Sequence, residues 1–122
     1  MPRRPEYVGS KLTIECMERV DGSCPAGEFL DELPERSRKK LDVIFEMLGD
    51  QRQIRNKTKF KKVEDAVFEI KSHQVRIFCF FTSDRRLVLL YGLLKKQDRH
   101  KRKDIDKAIS MRVDFLDRQV CE

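Results

Sequence analysis

"VFEIKSHQVRIFCFF" (Val67–Phe81) decides how the rest of the chain is read. Apolar and polar residues alternate up to Lys71, "SHQ" interrupts them, and an apolar run returns from Val75, which is the pattern of a β-hairpin. A two-residue turn at His73–Gln74 sets Lys71 opposite Arg76 and Glu69 opposite Phe78. Cross-strand partners share a face, so these four side chains project together. Phe68, Ile70, Val75, Ile77, Cys79 and Phe81 take the other face, beneath helices. Arg76 therefore belongs to a second, concave or open face of the sheet. The plain structural alternative is an ion pair between Arg76 and Glu69 across the hairpin.

The same logic carries downstream. Ser83–Asp84–Arg85 makes the next turn, and Leu87–Leu94 is a nearly continuous apolar strand, as expected in the middle of a sheet. "KKQDRHKRK" (Lys95–Lys103) follows. From about Arg102 a final helix is expected, with Ile105, Ala108, Ile109, Arg112 and Leu116 as its stripe.

Upstream, residues 1–10 read as an irregular arm, with Pro2 and Pro5 against regular structure. "KLTIEC" (Lys11–Cys16) alternates as a short strand, and "DGSCPAG" (Asp21–Gly27) is a loop. Helix is expected from Glu28, interrupted at Pro34, and resumed with Leu41, Ile44, Phe45 and Leu48 on one face and Gly49 as its stop. "QRQIRNKTKFKK" (Gln51–Lys62) reads as a polar, basic connection, with Phe60 as a core anchor.

The chain has 122 residues and a formal net charge of +6, which suits one domain with a modest core. Residues 51–103 hold 16 Lys and Arg against 5 Asp and Glu, whereas the remainder holds 11 against 16. Charge so concentrated favours a polyanion, and nucleic acid is the commonest one in a cell. The longest apolar run, Leu87–Leu94, is too short to span a bilayer, and no apolar region follows the N-terminal basic residues. The expectation is a cytoplasmic protein with no membrane partner. Four cysteines without CxxC spacing and two histidines argue against zinc, and no cofactor is expected.

"FLDELPERSRKKLDVIFEML" (Phe29–Leu48), "VFEIKSHQVRIFCFF" and "LVLLYGLLKKQDRHKRKDIDKA" (Leu87–Ala108) together resemble the RelE/ParE superfamily of bacterial toxins. The likeness is greatest to the HigB-type, phage-derived branch, and it covers roughly residues 28–116. Tyr91 stands where that branch often has His, and Lys71 where Arg is usual. The resemblance implies an α+β fold. It would have a mostly antiparallel sheet of about four strands, N-terminal helices on one face and a C-terminal helix. It also implies the toxin of a type II toxin–antitoxin pair, a metal-independent endoribonuclease that cuts mRNA on the ribosome, with a cognate antitoxin as partner.

Such a reaction deprotonates a ribose 2′-hydroxyl, neutralises a phosphorane and protonates the departing 5′-oxygen. Arg76 matches the family's strand arginine, a phosphate clamp, and Lys95 and Lys96 match its Lys-Lys run. Lys71 and His100 complete the candidate catalytic set, His100 because imidazole titrates near neutrality. Lys57, Lys59, Lys61, Lys62, Arg99, Lys101, Arg102 and Lys103 are the candidate RNA contacts. Tyr91 faces either core or site. Two alternatives share the fold: a ParE-like inhibitor of DNA gyrase and an inactive RNA-binding module.

Overall fold

The structure, a computed structural model, describes residues 5–51, 59–95 and 99–121, with side chains to residue 118. Its elements run β1 (Tyr7–Val8), β2 (Thr13–Cys16), α1 (Pro25–Glu32), α2 (Glu35–Gln51), β3 (Phe60–Glu64), β4 (Val67–Ser72), β5 (Val75–Phe81), β6 (Arg86–Leu94) and α3 (Arg102–Cys121). The strands form one sheet in the order β1-β2-β6-β5-β4-β3. Among the described residues, only the β2–β6 pairing is parallel.

The sheet thus has six strands where the sequence suggests about four. The two additions are its edges. β1 comes from the supposed arm, and β3 from the supposed connection. Neither carries an apolar alternation of useful length, and β3 keeps Lys61 and Lys62 exposed, as edge strands do to resist further pairing.

The central hairpin follows the sequence expectation. Lys71 pairs with Arg76, and Glu69 with Phe78. Ile70, Val75, Ile77 and Cys79 join Leu41, Ile44, Phe45 and Leu48 of α2 and Leu30 of α1 in the larger core. Each such fully buried side chain contributes roughly 1.5–3 kcal/mol. Phe60, Phe68 and Phe81 close one flank, Phe60 stacked on Phe68 at 5.2 Å and Phe81 edge-on to both. Phe60 is a core anchor, as expected.

The opposite face is not open. α3 lies across it, burying Ala108, Met111 and Phe115 against Val67, Phe78, Phe80, Val88 and Leu90. The α3 stripe is therefore rotated from the expected one. Ile109 and Leu116 flank it, Val113 is exposed, and the Arg112 guanidinium sits over the Phe80 ring at 5.6 Å.

Gly49 does not stop α2, which runs on to Gln51. Here glycine permits close approach instead. A Cβ on Gly49 would sit 2.6 Å from the Tyr7 ring, and one on Gly9 would sit 2.3 Å from the Gly49 carbonyl carbon. The Gly49 carbonyl accepts from the Lys11 and Leu12 amides, and the Tyr7 hydroxyl donates to Asp50 at 2.8 Å. These contacts tie β1 and β2 to the end of α2.

Three hairpin turns place non-glycine residues at positive φ. Asp65 and Ala66 (φ 46° and 66°) join β3 to β4, His73 (φ 54°) joins β4 to β5, and Arg85 (φ 63°) closes the loop between β5 and β6. Tight hairpin connections call on this conformation, for which glycine or asparagine is usual.

Candidate functional site

The hairpin register and the approach to α3 bring three ionisable side chains together under the second face. Glu69 on β4 and Arg76 on β5 are 1% and 3% exposed, with Nε to Oε1 at 3.8 Å. His100, just before α3, places Nε2 on the other carboxylate oxygen of Glu69, and its side chain is 5% exposed. Arg76 also donates from one terminal nitrogen to the carbonyls of His73 and Val75. The sequence reading reached Glu69 only as the structural partner of Arg76. Its place opposite Phe78 in the hairpin was the available signal.

Rings frame this cluster. Phe78 lies 4.8 Å from the imidazole and 5.2 Å from the Tyr91 ring. Tyr91 faces the core, donates its hydroxyl to the Asp104 carbonyl at 2.6 Å, and carries Lys107 over its face at 4.4 Å. Burial, and then Asp104, push its hydroxyl pKa upward. Because Nε2 of His100 is directed at a carboxylate, it is the donor nitrogen of the ring, which leaves Nδ1 facing away from Glu69. That Nδ1 has no hydrogen-bond partner among the described residues.

Arg76 is thus not presented on an open face, and neither is His100. α3 and the residues leading into it cover both. The cations gather on either side of His100 in the chain. Lys95, Arg99, Lys101 and Lys103 line a hollow of about 470 Å³ with Leu93, Leu94 and Asp104. The Lys95 ammonium donates to the Arg99 carbonyl at 2.6 Å, and the Lys95 amide to Gln74. Four cations against one carboxylate make this hollow a ready site for phosphate.

The other candidates divide. Lys71 pairs in register with Arg76. Lys61 shares a face with Glu69 on the edge strand, whereas Lys62 shares the face of Phe68. Lys59 is exposed just before β3. Arg102 is engaged in a fork with Glu64 and Asp106, which holds Glu64 below the usual carboxylate range and tethers α3 to β3. Lys57 and Lys96 lie outside the described residues. Among the described residues no group of His, Cys, Asp and Glu is arranged to hold a metal ion. Burial, and then Glu69, push the Cys79 thiol up, so it stays a protonated core residue. No described helix is long and apolar enough to cross a membrane.

Comparison with known proteins agrees with this architecture. Residues 28–112 match the family model described as phage-derived protein Gp49-like. No curated protein matches the sequence. Among solved structures, the RelBE2 toxin–antitoxin complex of Mycobacterium tuberculosis is similar at a TM-score of 0.52 and 14% identity, over 70% of this chain and 99% of that one. The RelB–RelE antitoxin–toxin complex of Methanococcus jannaschii is similar at a TM-score of 0.49 and 19% identity, over 66% and 88%. From the family match over residues 28–112, this chain belongs to the phage-derived Gp49-like family.

Proposed function

We propose that this chain is the toxin of a type II toxin–antitoxin pair and cleaves mRNA on the ribosome without a metal. The observation that carries the reading is the basic hollow of Lys95, Arg99, Lys101 and Lys103, two of whose cations flank in sequence a histidine held on a buried carboxylate. The RNA backbone enters the hollow and exchanges its counterions for these cations. His100, fixed through Nε2 by Glu69, exchanges a proton at Nδ1 with the ribose 2′-hydroxyl or the departing oxygen. Arg76 holds Glu69 in place and adds positive potential beneath the phosphorane. Lys71 and Lys96 belong to the same set by resemblance. His100 and Arg76 are covered in this conformation, so the reading requires the approach to α3 to lift as RNA binds.

The burial of Arg76 favours a second reading, an RNA-binding module that does not cut. Induced expression in a bacterial host, with primer extension on an abundant message, separates the two. New in-frame cuts and growth arrest with the native chain, both lost in His100→Ala and in Lys95→Ala/Arg99→Ala, support the ribonuclease. Arrest with intact messages points to a gyrase-directed toxin, and neither arrest nor cuts to the binding module.

A further inference from the structure

The basic hollow is not the only recess built from cations. On the helix-covered side, α2 and the β4–β5 turn enclose a groove with two lobes of about 450 and 550 Å³. The lobes share Lys40, Ser72 and His73, and meet where the Lys40 ammonium donates to Nε2 of His73 at 2.9 Å. Arg36 lines one lobe, and Lys59 and Lys71 line the other. No Asp or Glu lines either lobe among the described residues. Apolar side chains also line the groove, and one in each lobe, Leu94 and Val43, is left 63% and 56% exposed.

We infer that this groove docks an acidic, amphipathic segment of a partner protein. Arg36, Lys40 and Lys59 concentrate positive potential around the recess, and the complementary occupant is negatively charged. The floor decides between the two polyanions. Nucleic acid seats its bases on aromatic rings, and no Phe, Tyr or Trp lines the groove among the described residues. Leu33, Val43, Ile44, Val75 and Leu94 offer aliphatic surface instead, which calls for aliphatic side chains interleaved with carboxylates. Leu94 is also a wall of the basic hollow, so a segment in the groove ends at the rim of the proposed RNA site. On the toxin reading, on which this identification of the partner rests, the segment belongs to the antitoxin and blocks RNA entry from that side.

The test selects binders to the full chain from a displayed library of short random peptides. Their affinities are then measured by titration against the native chain and against Lys40→Glu and Val43→Asp, both folded by circular dichroism. The expected result is enrichment of peptides alternating Asp or Glu with Leu, Ile or Val, with Kd raised at least about tenfold by either substitution. No enrichment, binders indifferent to both substitutions, or perturbation of the Val43 and Leu94 methyls by single-stranded RNA rather than peptide would each overturn the inference. Growth arrest with failed peptide capture sinks the groove alone; capture without arrest sinks the toxin reading alone.

Discussion

Glu69 and Arg76 lie on adjacent strands, two residues apart in register, and both are buried, at 1% and 3% exposure, among apolar side chains. Removing one partner of a buried pair leaves the other uncompensated, which is costlier than removing both. Arg76→Met is expected to destabilise the fold by about 3 kcal/mol, since His100 still faces Glu69. Glu69→Gln/Arg76→Met is expected to recover most of that loss. Urea denaturation of the three proteins checks both numbers.

Gly49→Ala sets helix propensity against packing. Alanine favours the α2 backbone by about 1 kcal/mol, yet its methyl meets the Tyr7 ring, and overpacking of that kind costs about 1–3 kcal/mol. The net expectation is a loss of stability. It should come with faster amide exchange at Lys11 and Leu12, whose partner is the Gly49 carbonyl.

Ala66 holds a φ of 66° in the β3–β4 turn, a conformation that penalises any Cβ. Ala66→Gly is expected to stabilise the protein by about 0.5 kcal/mol, despite glycine's greater freedom when unfolded. A thermal melt that falls rather than rises would refute this account of the turn.

Asp50 accepts from the Ser10 amide at 2.9 Å and from the Tyr7 hydroxyl. The first and then the second of these hold its carboxyl below the usual carboxylate range, while Asp50 pushes Tyr7 up to about 12. A depressed carboxylate contributes stability above its unfolded pKa, lost as pH falls through the folded value. The melting temperature of Asp50→Asn should therefore lie below that of the native chain at neutral pH. The two should converge once the pH drops beneath the carboxylate range.

Titration of single-stranded RNA at several salt concentrations tests the basic hollow directly. Each phosphate-contacting cation contributes about 0.7 to the slope of log affinity against log salt. Lys95→Ala/Arg99→Ala should flatten that slope by about 1.4, and Arg102→Ala should leave it unchanged, because Arg102 is engaged with Glu64 and Asp106.

Much of this architecture can be read from the chain itself. The β4–β5 register, the α2 face and the start of α3 all follow from hydrophobic periodicity, which is a local property. What was missed has no such period. β1 is two residues long, and β3 is a lysine-bearing edge whose pairing is supplied by β4. Gly49 looked like a helix stop because a glycine that admits a neighbouring ring cannot be told from a cap without that ring. The candidate site was half legible. The register placed Arg76 with Glu69, but whether that face met water or a helix depended on how α3 returns to the sheet. For the same reason the expected clamp at Arg76 became a buried ion pair, and Tyr91 turned inward.

Parallel pairing of β2 with β6 makes folding of this chain a late event in its own synthesis. Thr13–Cys16 bonds to Arg86–Leu89, so a nascent chain carries its first core strand and both early helices past the exit tunnel long before their sheet exists. Closing so long a loop is slow. Until β6 is made, Leu41, Ile44, Phe45 and Leu48 have only the β4–β5 hairpin of the sheet to pack on, and β2 has no strand to join. The two halves of the sheet become one only when β6, in the last third of the chain, is in place.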